Sequence, residues 1–324
     1  MDVSASEYIT VGVSDMERSL GLFRDLMQLE VERDYRASPS LKAAWNLSAE
    51  TEAHVVELSC KGYPMGRLRL VAYSPTPKEK VRIHSGPGPH DGAADVGCKA
   101  IDFYVADPIQ PIYEAIKAAG YETRSAPILH ELGEVVSEEF IFWGPDGVPL
   151  LLMVGHVHPD NQLRPGSPDG PFSEIATVSI VGESLKGTRA FYEGALGMVP
   201  VVEGETPEAF VDKVNELTGT PRGTAIRWLV YAAPGEASGK ILVIHFIGAS
   251  TRRLTGRMRP GRLGFSLLTH RTSDIRALEA RLDAGGYRIQ TRPRAVDVAG
   301  ETCQIMLAVG PNEEMFEFVE RSPA

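Results

Sequence analysis

The chain has 324 residues, of which 43% are hydrophobic and 23% charged, with a formal net charge of −10 at pH 7. That length suits two domains, each able to bury its own core, and the acidic balance leaves no electrostatic footprint for nucleic acid or an anionic membrane surface. No apolar run approaches the ~20 residues of a bilayer span, and Cys60, Cys98 and Cys303 are too scattered for a disulfide framework or a zinc cluster.

Taken in order, Ile9, Val11 and Val13 alternate with Tyr8, Thr10 and Gly12, the period of two of a half-buried strand. Ser14 or Asp15 can cap a helix from Met16 to about Met27, whose apolar face carries Leu20, Phe23 and Leu26. Strands are predicted near His54–Cys60 and Arg67–Tyr73, then a Gly/Pro/His-rich loop from Lys80 to Val96. A second unit opens at Ala100–Val105, carries a helix over Pro108–Ala119, and ends in strands Glu139–Trp143 and Pro149–Val154 around a Gly-Pro-Asp-Gly turn. His156 to Phe172 is crowded with proline, glycine, serine and aspartate, the composition of a linker. A third unit follows with a strand at Thr177–Val181, a helix through Ala190–Leu196, and strands Ala225–Ala232 and Lys240–Ile247. The fourth has Arg262–Leu268, a helix at Asp274–Ala284, and strands Cys303–Val309 and Met315–Glu320.

The second half repeats the plan of the first. Tyr113-Glu114-Ala115 to Gly120-Tyr121 is echoed by Leu278-Glu279-Ala280 to Gly286-Tyr287, and self-similarity at a spacing of about 165 residues marks a duplicated architecture. Phe191-Tyr192-Glu193-Gly194-Ala195-Leu196-Gly197-Met198, with the Gly144-Pro145-Asp146-Gly147 turn, resembles the vicinal oxygen chelate superfamily. That superfamily holds glyoxalase I, the extradiol dioxygenases, and the bleomycin and fosfomycin resistance proteins. Four units in one chain look most like the two-domain extradiol dioxygenases. The resemblance implies an α+β fold of four βαβββ modules, paired into two cupped mixed β-sheet domains with helices on the outer face. The expected division is an N-terminal domain over 1–155 (modules about 5–75 and 97–155), a linker over 156–172, and a C-terminal domain over 173–324 (modules about 173–250 and 260–321).

In that superfamily the ligands of a catalytic metal project into the cup from the first and last strand of each module. Strand parity places Tyr8, Ala100, Thr177 and Arg262 on the cup side of the first strands, and Arg69, Leu151, Val243 with His245, and Glu317 on that of the last. An iron site of the extradiol type needs two histidines and a carboxylate on one face, and an arginine repels a divalent cation. No metal or other cofactor is therefore expected. Glu317 and His245 are expected as an acid–base pair, with Arg262 gripping a carboxylate or enolate oxygen; Thr177, Ser179, Trp228, Tyr8 and Arg69 would touch the substrate. The resulting expectation is a cytoplasmic catabolic enzyme, a metal-independent isomerase or lyase acting on a hydrophobic or aromatic-derived carbonyl or carboxylate compound. Monomer or homodimer is expected, with no nucleic-acid or membrane partner. Two alternatives stand beside it: a metal-dependent extradiol dioxygenase or glyoxalase-type lyase with non-standard ligands, and a non-catalytic small-molecule binding protein. Of the remaining histidines, His84 and His90 read as loop residues, His156 and His158 as linker residues and His270 as a turn residue. The arginines between Arg252 and Arg262 read as a solvated basic segment.

Overall fold

A computed structural model describes residues 3–83, 92–132, 135–157 and 171–321. Most of the linker, with His158, and the loop segment bearing His84 and His90 lie outside the described residues. Module one comprises β1 (Val3–Val13), α1 (Met16–Leu20, continued as a π-helical turn over Gly21–Leu26), β2 (Glu30–Arg36), α2 (Pro39–Ala44), β3 (Glu52–Ser59) and β4 (Arg67–Ser74). Module two has β5 (Gly97–Val105), α3 (Gln110–Ala118), β6 (Ile128–Leu132), β7 (Val135–Trp143) and β8 (Pro149–Val157). Module three has β9 (Phe172–Val181), α4 (Leu185–Arg189, continued as a π-helical turn over Ala190–Ala195), β10 (Val199–Glu205), α5 (Val211–Thr218), β11 (Ala225–Ala232) and β12 (Lys240–Ile247). Module four has β13 (Gly264–Thr272), α6 (Ile275–Ala284), β14 (Arg288–Val298), β15 (Glu301–Val309) and β16 (Met315–Arg321).

The second strand of each module escaped the sequence reading. These four strands lie at the outer edges of the sheets. β2 and β10 are largely exposed; β2 is rich in charge and β10 is broken by Pro200 and Gly204, so neither shows the apolar alternation by which a half-buried strand is recognised.

The modules form two curled eight-stranded sheets, in the orders β14-β15-β16-β13-β1-β4-β3-β2 and β10-β11-β12-β9-β5-β8-β7-β6. Within each module the first and last strands lie side by side and parallel, and the two modules of a sheet meet through antiparallel first strands. The partners do not follow the two halves of the chain: module one joins module four, and module two joins module three. Each cup therefore draws on both halves of the chain, whereas the sequence reading drew each cup from a single half.

The β1–β13 seam is close. Gly12 faces Gly264, and a Cβ on Gly12 would stand 1.9 Å from the Arg262 carbonyl oxygen. The helix-bearing sides of both sheets share one continuous apolar core, to which Ile9, Leu70, Phe103, Leu152, Ile180, Phe191 and Phe316 all contribute. Modules one and three each insert a short helix between their second and third strands, and both helices lean over a cup. α2 brings Leu41, Ala44 and Trp45 into the apolar lining of the first sheet. α5 lays Val214, Leu217 and Thr218 over the second.

Candidate active site

Parity held for most central strands and failed on two. Ile9, Val11 and Val13, Ile101, Phe103 and Val105, Val178 and Ile180, and Phe316 and Phe318 all face the helices, as expected. On β12 the sense is reversed. Lys240 lies beside Thr177 and Leu242 beside Ser179, and neighbours in register share a face; Leu242 and Ile244 therefore line the cup while Val243 packs in the helix-side core. His245 follows Val243 outward. Its ring abuts Gly182, its Nε2 has no hydrogen-bond partner, and burial lowers its pKa. On β13 a register shift between Phe265 and Leu267 places Leu267 and Thr269 towards the cup while Phe265 and Leu268 face the helices. Arg262 precedes the strand and pairs with Glu79 at 2.7 Å.

The expected triad is thus dispersed. Glu317 stands in the module one/four cup, His245 on the far face of the other sheet, and Arg262 in the turn before β13. Thr177, Ser179 and Trp228 do line one cavity together, in the module two/three cup. Tyr8 and Arg69 also meet, ring centre to guanidinium carbon at 4.5 Å, in the cup that holds Glu317. His270 is a buried core residue of β13, its pKa lowered by burial to about 4, with Nδ1 2.8 Å from the Ser4 carbonyl oxygen. The basic segment works as a set of clamps: Arg252 reaches Asp95 at 2.6 Å, Arg253 pairs with Glu183 and Glu313, and Arg257 donates to the Val81 carbonyl.

The module one/four cup holds a dense charge network. Glu317 accepts from Trp45 Nε1 at 2.6 Å on one oxygen, and from Arg69 and Thr269 Oγ1, each at 2.8 Å, on the other. Glu57 accepts from Arg33 Nε at 2.6 Å, Tyr35 at 2.9 Å and Arg69 Nε at 3.1 Å. Arg69, 4% exposed, thereby bridges two fully buried carboxylates. Burial alone would raise the Glu57 pKa, but Arg69 and Arg33 outweigh it and hold it low. Tyr8, buried and near Glu57, is pushed up to about 12. A cavity of about 290 Å³ reaches this network, lined by Arg33, Arg69, Glu301, Cys303, Glu317 and Arg321.

The superfamily's divalent metal does not fit here. Every oxygen of Glu57 and Glu317 already accepts a hydrogen bond, and the Arg69 guanidinium occupies the space between them. In the other cup, the positions Ala100, Leu151, Thr177 and Leu242 supply no strong ligand, and although Asp102, His130 and Glu139 also line that cavity they are not grouped to hold an ion. Among the described residues no group of three or more His, Cys, Asp or Glu side chains is placed to hold a metal ion.

Because Glu317 is held from several sides, its hydrogen bonds act as fold-holding contacts. The Thr269→Val variant removes one donor while keeping the shape, and a stability loss of about 1–2 kcal/mol is expected by urea denaturation. A loss under about 0.3 kcal/mol would mean that Thr269 contributes no net stabilisation.

The module two/three cup is built differently. Its cavity, about 160 Å³, is walled mainly by apolar side chains, among them Ile141, Leu151, Met153, Val214, Trp228 and Leu242. Asp102 lies on β5 at the centre of the sheet, 4% exposed. Its Oδ2 accepts from Ser179 Oγ at 2.8 Å, and its buried Oδ1 has no partner. Burial raises its pKa to about 7; the Ser179 hydrogen bond opposes that shift and Glu139 adds to it. His130, also on the wall, is 1% exposed, and neither ring nitrogen has a partner. Lys99, Glu139 and Lys240 also line the cavity. Sequence reasoning stopped one step short of Asp102: the parity that put Ala100 in the cup also puts Asp102 there, and a carboxylate between Ile101 and Phe103 was the available signal.

Residues 174–313 match the family model described as Glyoxalase/Bleomycin resistance protein/Dioxygenase superfamily. Among solved structures, glyoxalase I from Zea mays is similar at 14% identity and a TM-score of 0.61, over 98% of this chain and 92% of that one. A putative dioxygenase from Bacillus subtilis is similar at 13% identity and a TM-score of 0.60, over 100% of this chain and 87% of that one. Residues 174–313 thus carry a match to that superfamily, as the sequence resemblance implied, and the whole chain shares its fold with those solved structures. Its four modules make the two-sheet form of that α+β fold. A search of curated proteins finds no match. Among the described residues no helix is long and apolar enough to cross a membrane.

Proposed function

We propose that the chain is a metal-independent general acid–base enzyme, an isomerase or lyase acting on a small hydrophobic carbonyl compound bound in the module two/three cup. Asp102 is the proton carrier. The observation that carries this reading is a buried carboxylate, one oxygen unpartnered among the described residues, on the wall of a mainly apolar cavity. A titration near neutrality matches the group to proton transfer at physiological pH. Ser179 orients the carboxyl group through Oδ2 and leaves Oδ1 for the substrate. Thr177 and Trp228 line the bound molecule, the indole lying against Gly204. His130 can donate to or accept from a substrate oxygen, since a buried imidazole without a partner gains from any ligand that pairs it. Glu317, Tyr8 and Arg69 hold the other cup together and take no part in this chemistry.

The test is proton exchange in deuterium oxide with chelator-treated protein and phenylpyruvate or butanone as probe, followed by NMR. Wild-type exchange at the carbon next to the carbonyl is expected, and Asp102→Asn should lower it by about 10²–10⁴-fold. Exchange unaffected by Asp102→Asn, or regained only with a stoichiometric metal, rejects the proposal. The apolar walls and the partial cover of α5 also suit a second reading, a small-molecule binding protein. Probe binding without exchange in the wild type would favour it.

A further inference from the structure

Lys99 is placed unusually for a lysine. Its neighbours Cys98 and Ala100 flank a register shift in the β5–β9 pairing, and the side chain joins Ala100 and Asp102 on the cavity wall. It is 7% exposed. Nζ donates to the Ala93 carbonyl at 2.5 Å and reaches the Thr218 carbonyl at 3.5 Å, with the Phe246 ring centre 5.2 Å away. Among the described residues no carboxylate lies within ion-pair distance of it.

We infer that Lys99 is a nucleophilic amine that forms a Schiff base with the aldehyde or ketone carbonyl of the ligand in this cup. A neutral primary amine has two hydrogens and one lone pair. The Ala93 and Thr218 carbonyls can take both hydrogens and leave the pair for the cavity. Burial, with Arg82 and Arg124 nearby, lowers the Lys99 pKa well below the usual lysine value, and Asp95 only partly offsets this. Desolvation beside other cations is a known way to keep a lysine amine unprotonated and reactive.

In the reaction, the Nζ pair forms a bond to the carbonyl carbon as the C=O π pair moves to oxygen. A proton passes from nitrogen to that oxygen, a second proton from Asp102 lets it leave as water, and the C=N bond forms. The protonated imine then draws electrons from the adjacent carbon, whose proton the Asp102 carboxylate takes. The inference rests on the reading that this cup binds a carbonyl compound, and it narrows the substrate class to aldehydes and unhindered ketones.

Full-length protein is incubated with benzaldehyde and sodium cyanoborohydride at pH 7, then digested and mapped by mass spectrometry. Benzaldehyde has no proton on the carbon next to its carbonyl, so trapping reads imine formation apart from proton exchange. The expected product is one adduct, of probe mass less one oxygen, on Lys99, formed at least about tenfold faster than on surface lysines, which are almost wholly protonated at pH 7. Lys99→Met should abolish that adduct, and Asp102→Asn should still form it on Lys99 but more slowly, since the proton that lets water leave must then come from solvent. Mapping the wild type locates the adduct without relying on either variant. Adducts spread over surface lysines with Lys99 unmodified, or no adduct at all, overturn the inference. Butanone exchange lost in Asp102→Asn but unchanged in Lys99→Met would also overturn it while leaving the acid–base reading standing. Trapping at Lys99 with no wild-type exchange would leave Lys99 in place and remove that reading.

Discussion

Replacing Arg69 by methionine is expected to destabilise the protein by about 3–5 kcal/mol, because two carboxylates would remain buried without their shared cation. Glu57 and Glu317 are 0% and 1% exposed, so both depend on the guanidinium rather than on bulk water. Glu57 would keep Arg33 and Tyr35, while Glu317 would keep only the uncharged donors Trp45 and Thr269. Adding Glu317→Leu to Arg69→Met should recover part of the loss, since removing both members of a buried pair is far milder than removing one. Urea denaturation of the single and double variants gives the coupling. Equal stability of Arg69→Met and wild type would show that the network contributes nothing.

The pH dependence has a definite sign. The folded-state pKa of Glu57 is lowered, so its stabilisation is present above the unfolded carboxylate value of ~4.3 and lost as pH falls through the folded value. In Arg69→Met that support is weakened. The deficit relative to wild type should therefore be greatest near neutrality and shrink towards about pH 4, as Glu57 takes up a proton.

Asp102→Asn should separate catalysis from stability. The loss of proton transfer set out above is accompanied by an expected gain in stability at pH 8. The folded-state pKa of about 7 lies above the unfolded value of ~3.9. Such a group stabilises the fold fully below the unfolded value, and that contribution is lost as pH rises through the folded one. Wild-type stability should thus fall between about pH 4 and pH 7 from this residue, by at most on the order of 4 kcal/mol. Asparagine carries no proton equilibrium, so the variant should lack that part of the slope. Thermal denaturation of both proteins across this range checks it, and identical slopes would show that Asp102 is ionised throughout.

The duplicated plan, the strand-and-helix order and the superfamily were legible in the chain. Local spacing determines them: alternation at Ile9–Val13, helix caps such as Asp15, and the Gly-Pro-Asp-Gly turn depend on neighbours in sequence. The edge strands β2 and β10 were not legible, because an edge exposed on both faces leaves no periodic signature. Nor was the partnering of module one with module four. That choice is made by contacts such as Gly12 against Gly264, between residues remote in sequence, and it moved Glu317 away from Thr177 and Ser179. The outward turn of His245 and the bulge before Leu267 were likewise set by hydrogen-bonded register with adjoining strands. The sequence by itself determined which side chains could enter a cup. Only the tertiary structure decided which of them share one, and which carboxylate stays unpaired there, because strand pairing over long separations fixes both neighbours and facing direction.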